Sequence, residues 1–117
     1  MVREVIFYRT STGRSPVQEF LDTLSSKQAQ KTAWVVNLVE DLDVVPGQYF
    51  QKMSNTDDLW EIRVKVGTNI FRFLGFFDGR TLVVLAHAFQ KKTQQTPLHA
   101  IRLAEERKQD YFRRKTT

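Results

Sequence analysis

Two turn signals constrain this chain more than anything else in it. Val66-Gly67-Thr68-Asn69 fits a two-residue hairpin loop with glycine at its first central position. Phe77-Asp78-Gly79-Arg80 carries Asp-Gly, a strong short hairpin signal. The runs around them, "LWEIRVKV", "NIFRFLGFF" and Thr81 to Phe89, read as strands, so an antiparallel meander is predicted. The turns also predict register, and register decides which side chains share a face. With Gly67-Thr68 as the loop, Val66 pairs with Asn69 and Arg63 lies opposite Arg72. With Asp78-Gly79 as the loop, Phe77 pairs with Arg80, Arg72 faces Leu85, and His87 faces Ile70.

That register predicts an apolar face of Trp60, Ile62, Val64, Phe71, Phe73, Leu82, Val84 and Ala86. The other face mixes Glu61, Arg63, Lys65, Arg72 and His87 with Leu74, Phe76, Val83, Leu85 and Phe89. Upstream, "EVIFYRT" reads as a first strand. Ser15, Pro16 and Gln18 then form an N-cap, a first-turn proline and a capping partner, with Phe20, Leu21 and Leu24 at helical spacing. Ser25 with Gln28 caps a longer helix bearing Val35, Leu38, Val39 and Leu42, which Pro46-Gly47 ends. Thr96 and Pro97 read as N-cap and N1 of a last helix running to about Arg114. The expected fold is one α+β domain over residues 1–117. Its antiparallel sheet carries two N-terminal helices on one face and a C-terminal helix partly covering the other, through Leu98, Ile101, Tyr111 and Phe112.

A chain of 117 residues suits one domain, and nine Phe with two Trp can fill its core. The absence of cysteine excludes a disulfide scaffold, a thiolate zinc site and a thiol nucleophile. No apolar run approaches the roughly 18 residues of a membrane span, and "MVREVIFYRT" lacks a signal-peptide pattern. The cytoplasm is therefore the expected compartment, and no membrane partner is expected.

Charge is segregated along the chain. Between Glu40 and Glu61 six acids accompany the single base Lys52, whereas between Arg63 and Lys92 six bases accompany Asp78 alone. Two arginines opposite each other across strands cost up to about 1 kcal/mol when exposed. Either Glu61 and the acids at 40–58 neutralise them, or an anion is their intended partner. Arg63 and Arg72, with Lys65 beside them and Lys91-Lys92 ending the adjoining strand, form a convergent set suited to phosphate. His87 is open to two readings, packed histidine or site residue, as is His99, surface histidine or proton carrier.

"LWEIRVKVGTNIFRFLGFFDGRTLVVLAHAFQKKTQQTP" resembles the core of the RelE/ParE toxin superfamily, in its HigB-like, phage-derived branch. The matching pattern is an aromatic-Glu-aliphatic-Arg strand, an aromatic-Arg-aromatic strand, and a strand ending in Phe-x-Lys-Lys-Thr before Thr-Pro. Ser-Pro-Val-x-x-Phe-Leu at 15–21 fits as well. The resemblance implies a compact RelE-like fold and the toxin of a toxin–antitoxin pair, a ribosome-dependent mRNA endoribonuclease that stops translation. It implies a cognate antitoxin, typically a small helix-turn-helix protein of the HigA kind, and neither metal nor other cofactor. By motif, Arg63, Arg72, Lys91 and Lys92 take the catalytic positions. Lys52 falls in the basic segment before the hairpin, and Lys65 and His87 join it as candidate RNA contacts. The position where RelE carries a tyrosine reads Leu98 here, and His99 is the neighbouring polar candidate. Three other readings are a ParE-like gyrase inhibitor, a non-catalytic nucleic-acid-binding domain, and a decayed phage remnant that only binds its partner. The basic cluster speaks against the first. The core-side placement of Trp60, Phe71 and Phe73 speaks against the second.

Overall fold

A computed structural model describes residues 1–92 and 95–116. Its elements are β1 (Glu4–Phe7), α1 (Pro16–Leu21), α2 (Ser26–Asp41), β2 (Phe50–Lys52), β3 (Trp60–Val66), β4 (Asn69–Asp78), β5 (Leu82–Lys91) and α3 (Leu98–Lys115). The strands form one five-stranded sheet in the order β1-β5-β4-β3-β2. It is mixed rather than wholly antiparallel, because β1 runs parallel to β5. The short β2, where a turn was expected to give way directly to the meander, pairs with the start of β3.

Local chemistry accounts for two helix starts. Ser15 Oγ accepts from the Gln18 amide at 3.3 Å, with Pro16 in the first turn of α1. Ser25 and Gln28 form a reciprocal capping box at the start of α2. The third start differs from expectation. Pro97 occupies the N-cap of α3 without a side-chain cap bond, and the Thr96 hydroxyl accepts from Arg72 instead.

Two apolar clusters stabilise the sheet. One joins Val17 of α1 and Val35 and Val39 of α2 to Ile62, Val64, Phe71, Phe73, Val83 and Leu85. The other joins Ala100 and Ala104 of α3 to Leu74, Phe76, Val84 and Ala86, with Ile101, Tyr111 and Phe112 packed against it. Leu98 is left exposed. Arg3 and Glu40 tie the outer edge. Arg3 Nη1 and Nη2 donate to the carbonyls of Val39, Leu42 and Asp43 at the end of α2. The Val5 amide on the outward side of β1 donates to Glu40 Oε2 at 3.0 Å. That bond occupies an edge donor that would otherwise invite another strand.

The first hairpin has the predicted register, with Val66 opposite Asn69 and Arg63 opposite Arg72. The second does not. Asp78 pairs with Leu82 around a loop containing Gly79 at φ +75°, and Phe77 pairs with Val83 rather than Arg80. Faces therefore exchange along the first half of β5. Val83 and Leu85 lie in the α1–α2 cluster, and Leu82, Val84 and Ala86 in the α3 cluster. A bulge between Leu74 and Gly75 then adds one residue, so that His87 faces Leu74 and Arg72 faces Phe89. A Cβ on Gly75 would sit 2.3 Å from the Val84 carbonyl oxygen and 3.0 Å from Leu85 Cδ2. Gly75→Ala is expected to lower stability by about 1–3 kcal/mol, seen as a lower urea midpoint at unchanged slope.

Candidate anion-binding site

On the α3 side, the far ends of β3, β4 and β5 bring Arg63, Lys65, Arg72 and Lys91 onto one face. Arg63 is opposite Arg72, and Lys65 and Lys91 both pair with Ile70 from its two sides. Alternation along each strand keeps these side chains on a common surface. The structure thus brings together four of the cations expected from sequence.

They are not equivalent. Glu61 pairs with Leu74, which puts it diagonal to Arg72, and its Oε2 lies 2.6 Å from Arg72 Nη1. The same nitrogen donates to Thr96 Oγ1 at 2.9 Å. Side-chain exposure is 11% for Arg72 and 3% for Glu61, so this is a buried ion pair. Arg72 Nε is buried with no hydrogen-bond partner among the described residues. Of the two sequence readings of the arginines, neutralisation by Glu61 holds for Arg72. Among the described residues no carboxylate comes within ion-pair distance of Arg63, Lys65 or Lys91. Burial, then the charges of Arg72 and Arg63, hold the Lys91 ammonium below the usual lysine value, with Glu61 opposing them. That crowding marks a place where an anion would be stabilised by several positive charges at once.

The remaining candidates fall at varied distances from this patch. Lys92 is exposed just beyond the end of β5. Lys52 pairs with Trp60 at the opposite end of β3, roughly 10 Å along the strand from Arg63, and forms an ion pair with Asp58 at 2.9 Å. It is not part of the cluster. His99 stands exposed in the first turn of α3, close enough to His87 to act on it electrostatically.

His87 shares the Arg72 face but is largely packed. Its ring stacks on Phe89 at 5.6 Å, and Nδ1 lies 3.5 Å from Arg107 Nη1, which donates to the Ala86 carbonyl. Burial, helped by Arg107 and His99, pushes its pKa from 6.5 down to about 4. The imidazole is thus neutral at pH 7. Between pH 6.5 and about 4 the unfolded chain binds this proton and the folded chain does not, so stability falls as pH falls through that window. Urea midpoints measured from pH 7 to pH 4 are expected to decline less steeply in His87→Gln than in the parent.

Sequence reading overlooked two contributors. Thr96 looked like a helix cap, and its position after Lys91-Lys92 was the available sign that it could reach Arg72. Arg107 lies mid-helix in a basic stretch, and no local pattern distinguishes it from its solvent-facing neighbours. Among the described residues no group of His, Asp or Glu is arranged to hold a metal ion, and no helix is long and apolar enough to cross a membrane.

The sequence pattern of the family described as phage derived protein Gp49-like matches residues 19–109. The matched span contains every element that carries the cationic face. No curated protein matches the chain.

Proposed function

The chain belongs to the Gp49-like family of phage-derived proteins, a toxin-like family, and on that premise we propose that it is the toxin of a toxin–antitoxin pair. In this reading it is a ribosome-dependent mRNA endoribonuclease, with the cationic face of β3, β4 and β5 as its active site. The observation that carries it is the cluster of Arg63 and Lys91, both without a carboxylate partner among the described residues, beside an Arg72 whose Nε is unsatisfied. Such a cluster suits a phosphodiester whose charge grows during reaction.

The chemistry is an in-line transfer within the RNA. The 2′-oxygen forms a bond to the adjacent phosphorus, the bond to the 5′-oxygen breaks, and the products are a 2′,3′-cyclic phosphate and a 5′-hydroxyl. Arg63 and Lys91 hold the non-bridging oxygens, and Arg72, anchored by Glu61 and Thr96, adds its positive charge beside them. Lys65 and Lys92 attract the flanking strand. His99, exposed at the start of α3, is the candidate for moving a proton between the 2′- and 5′-oxygens. His87, neutral and packed against Arg107, shapes the floor. The expected partners are mRNA on the ribosome and a helix-turn-helix antitoxin that neutralises the protein in the cytoplasm.

The test is cleavage of a message on programmed ribosomes by the purified chain. Cut ends should carry a 2′,3′-cyclic phosphate, and a 2′-O-methyl group at the cut site should block cleavage. Growth arrest on expression with no message cleaved, and with gyrase stalled instead, would replace this reading by the gyrase-inhibitor one.

A further inference from the structure

The ladder between β2 and β3 ends at Phe50–Ile62, followed by one last bond from the Arg63 amide to the Tyr49 carbonyl at 2.9 Å. Beyond it β3 is an open sheet edge. A depression of about 520 Å³ lies there, lined by Lys31, Gln48, Tyr49, Arg63, Lys65 and Gly67. Its lining holds three cations and no acid. Lys31 is held in place as well as charged: its Nζ lies 4.6 Å from the Trp34 ring centroid. Trp34 in turn meets Tyr49 edge to face at 5.6 Å and is 47% exposed, unusual for so large an apolar surface. Gly67, at φ +60°, closes the far end with backbone alone.

We propose that this depression is a second subsite, which takes one nucleotide of single-stranded RNA next to the cut phosphate. Arg63 belongs to both places, lining the depression while its charge acts on Lys91. It is the hinge over which a strand would pass from one to the other. Lys31 and Lys65 meet the phosphate, the base lies on the Tyr49 ring, and Gln48 offers an amide that both donates and accepts toward the base edge. Gly67 lets the sugar approach without a side chain in the way. This inference rests on the RNA-cleaving reading for its biological setting, but its binding chemistry is tested separately.

The experiment uses the full chain with Trp60→Phe, which leaves Trp34 as the only indole. Emission is followed while a short single-stranded oligouridylate, the matching RNA duplex, or inorganic pyrophosphate is added at low salt. The single strand should change Trp34 emission at lower concentration than either alternative. Lys31→Gln and Tyr49→Ala should each weaken it about tenfold, and Tyr49→Phe should retain parental binding. Urea midpoints close to the parent's confirm that each variant folds. Equal binding by both weakened variants, no response to the single strand, or an equal response to pyrophosphate overturns the subsite. Cleavage on programmed ribosomes is measured in parallel. A parent that binds RNA here yet cuts no message overturns the reading of the active site and leaves the subsite standing.

Discussion

Arg72→Ala is expected to destabilise the domain by about 3–5 kcal/mol, the range for removing one member of a buried ion pair, read as a large drop in urea midpoint. The loss arises from what stays behind. Glu61 is 2% exposed, and without the guanidinium its carboxylate has neither water nor an opposite charge in contact. Thr96 loses its donor at the same time. Glu61→Ala should cost a similar amount, because it strands Arg72 beside Arg63 and Lys91. The double replacement Glu61→Leu with Arg72→Met should recover most of the loss, since two apolar side chains leave no buried charge unpaired. If Arg72→Ala melts with the parent, the pair contributes nothing to the fold. Its orphaned Nε would then need another explanation.

Arg63→Ala should behave in the opposite way. The side chain is only partly covered and no acid among the described residues pairs with it, so stability should stay within about 0.5 kcal/mol of the parent. Cleavage on programmed ribosomes should fall by about 100- to 1000-fold, the loss typical of removing one preorganised donor from a developing charge. Arg63→Lys should recover only part of this, because an ammonium cannot span two phosphate oxygens. The two arginines face each other across the strands, yet one should register mainly in a melting curve and the other mainly in a rate. A parental rate in Arg63→Ala would remove it from the proposed active site.

Much of this arrangement was legible from residue order, and the places where legibility failed have identifiable causes. Ser15, Ser25 and the Gly67 turn each carry a signal within a few residues, and each behaves as its chemistry dictates. The opposition of Arg63 and Arg72 follows from the Gly67 turn alone. Asp78-Gly79 is less decisive, because Asp-Gly suits both a two-residue loop and a longer one with glycine at positive φ. The longer loop slides the pairing from Arg80 to Val83, an odd number of steps, and an odd slip exchanges the faces of Val83 and Val84. The bulge at Gly75 adds one more step and makes the slip even. His87 consequently returns to the Arg72 face, where sequence had placed it, although opposite a different residue. A glycine inside a strand is itself a recognised sign of a bulge, so Gly75 was the clue available. The contact of Arg72 with Thr96 spans 24 positions and a helix start. Its one sign in the sequence is the position of Thr96 shortly after Lys91-Lys92.

The parallel pairing of β1 with β5 carries a consequence for the order in which the molecule is made. Glu4 finds its partner only in Leu82, and Phe7 only in Leu85. The first strand of the sheet to be made therefore waits for the last, and closing so long a loop is entropically slow compared with forming the hairpins. α1 and α2 can form early from their own caps, but the surface they rest on includes Val83 and Leu85. A nascent chain ending before β5 thus holds two helices and a hairpin whose shared interior still lacks Val83 and Leu85. Closure of the sheet onto β1 therefore waits until β5 has been made.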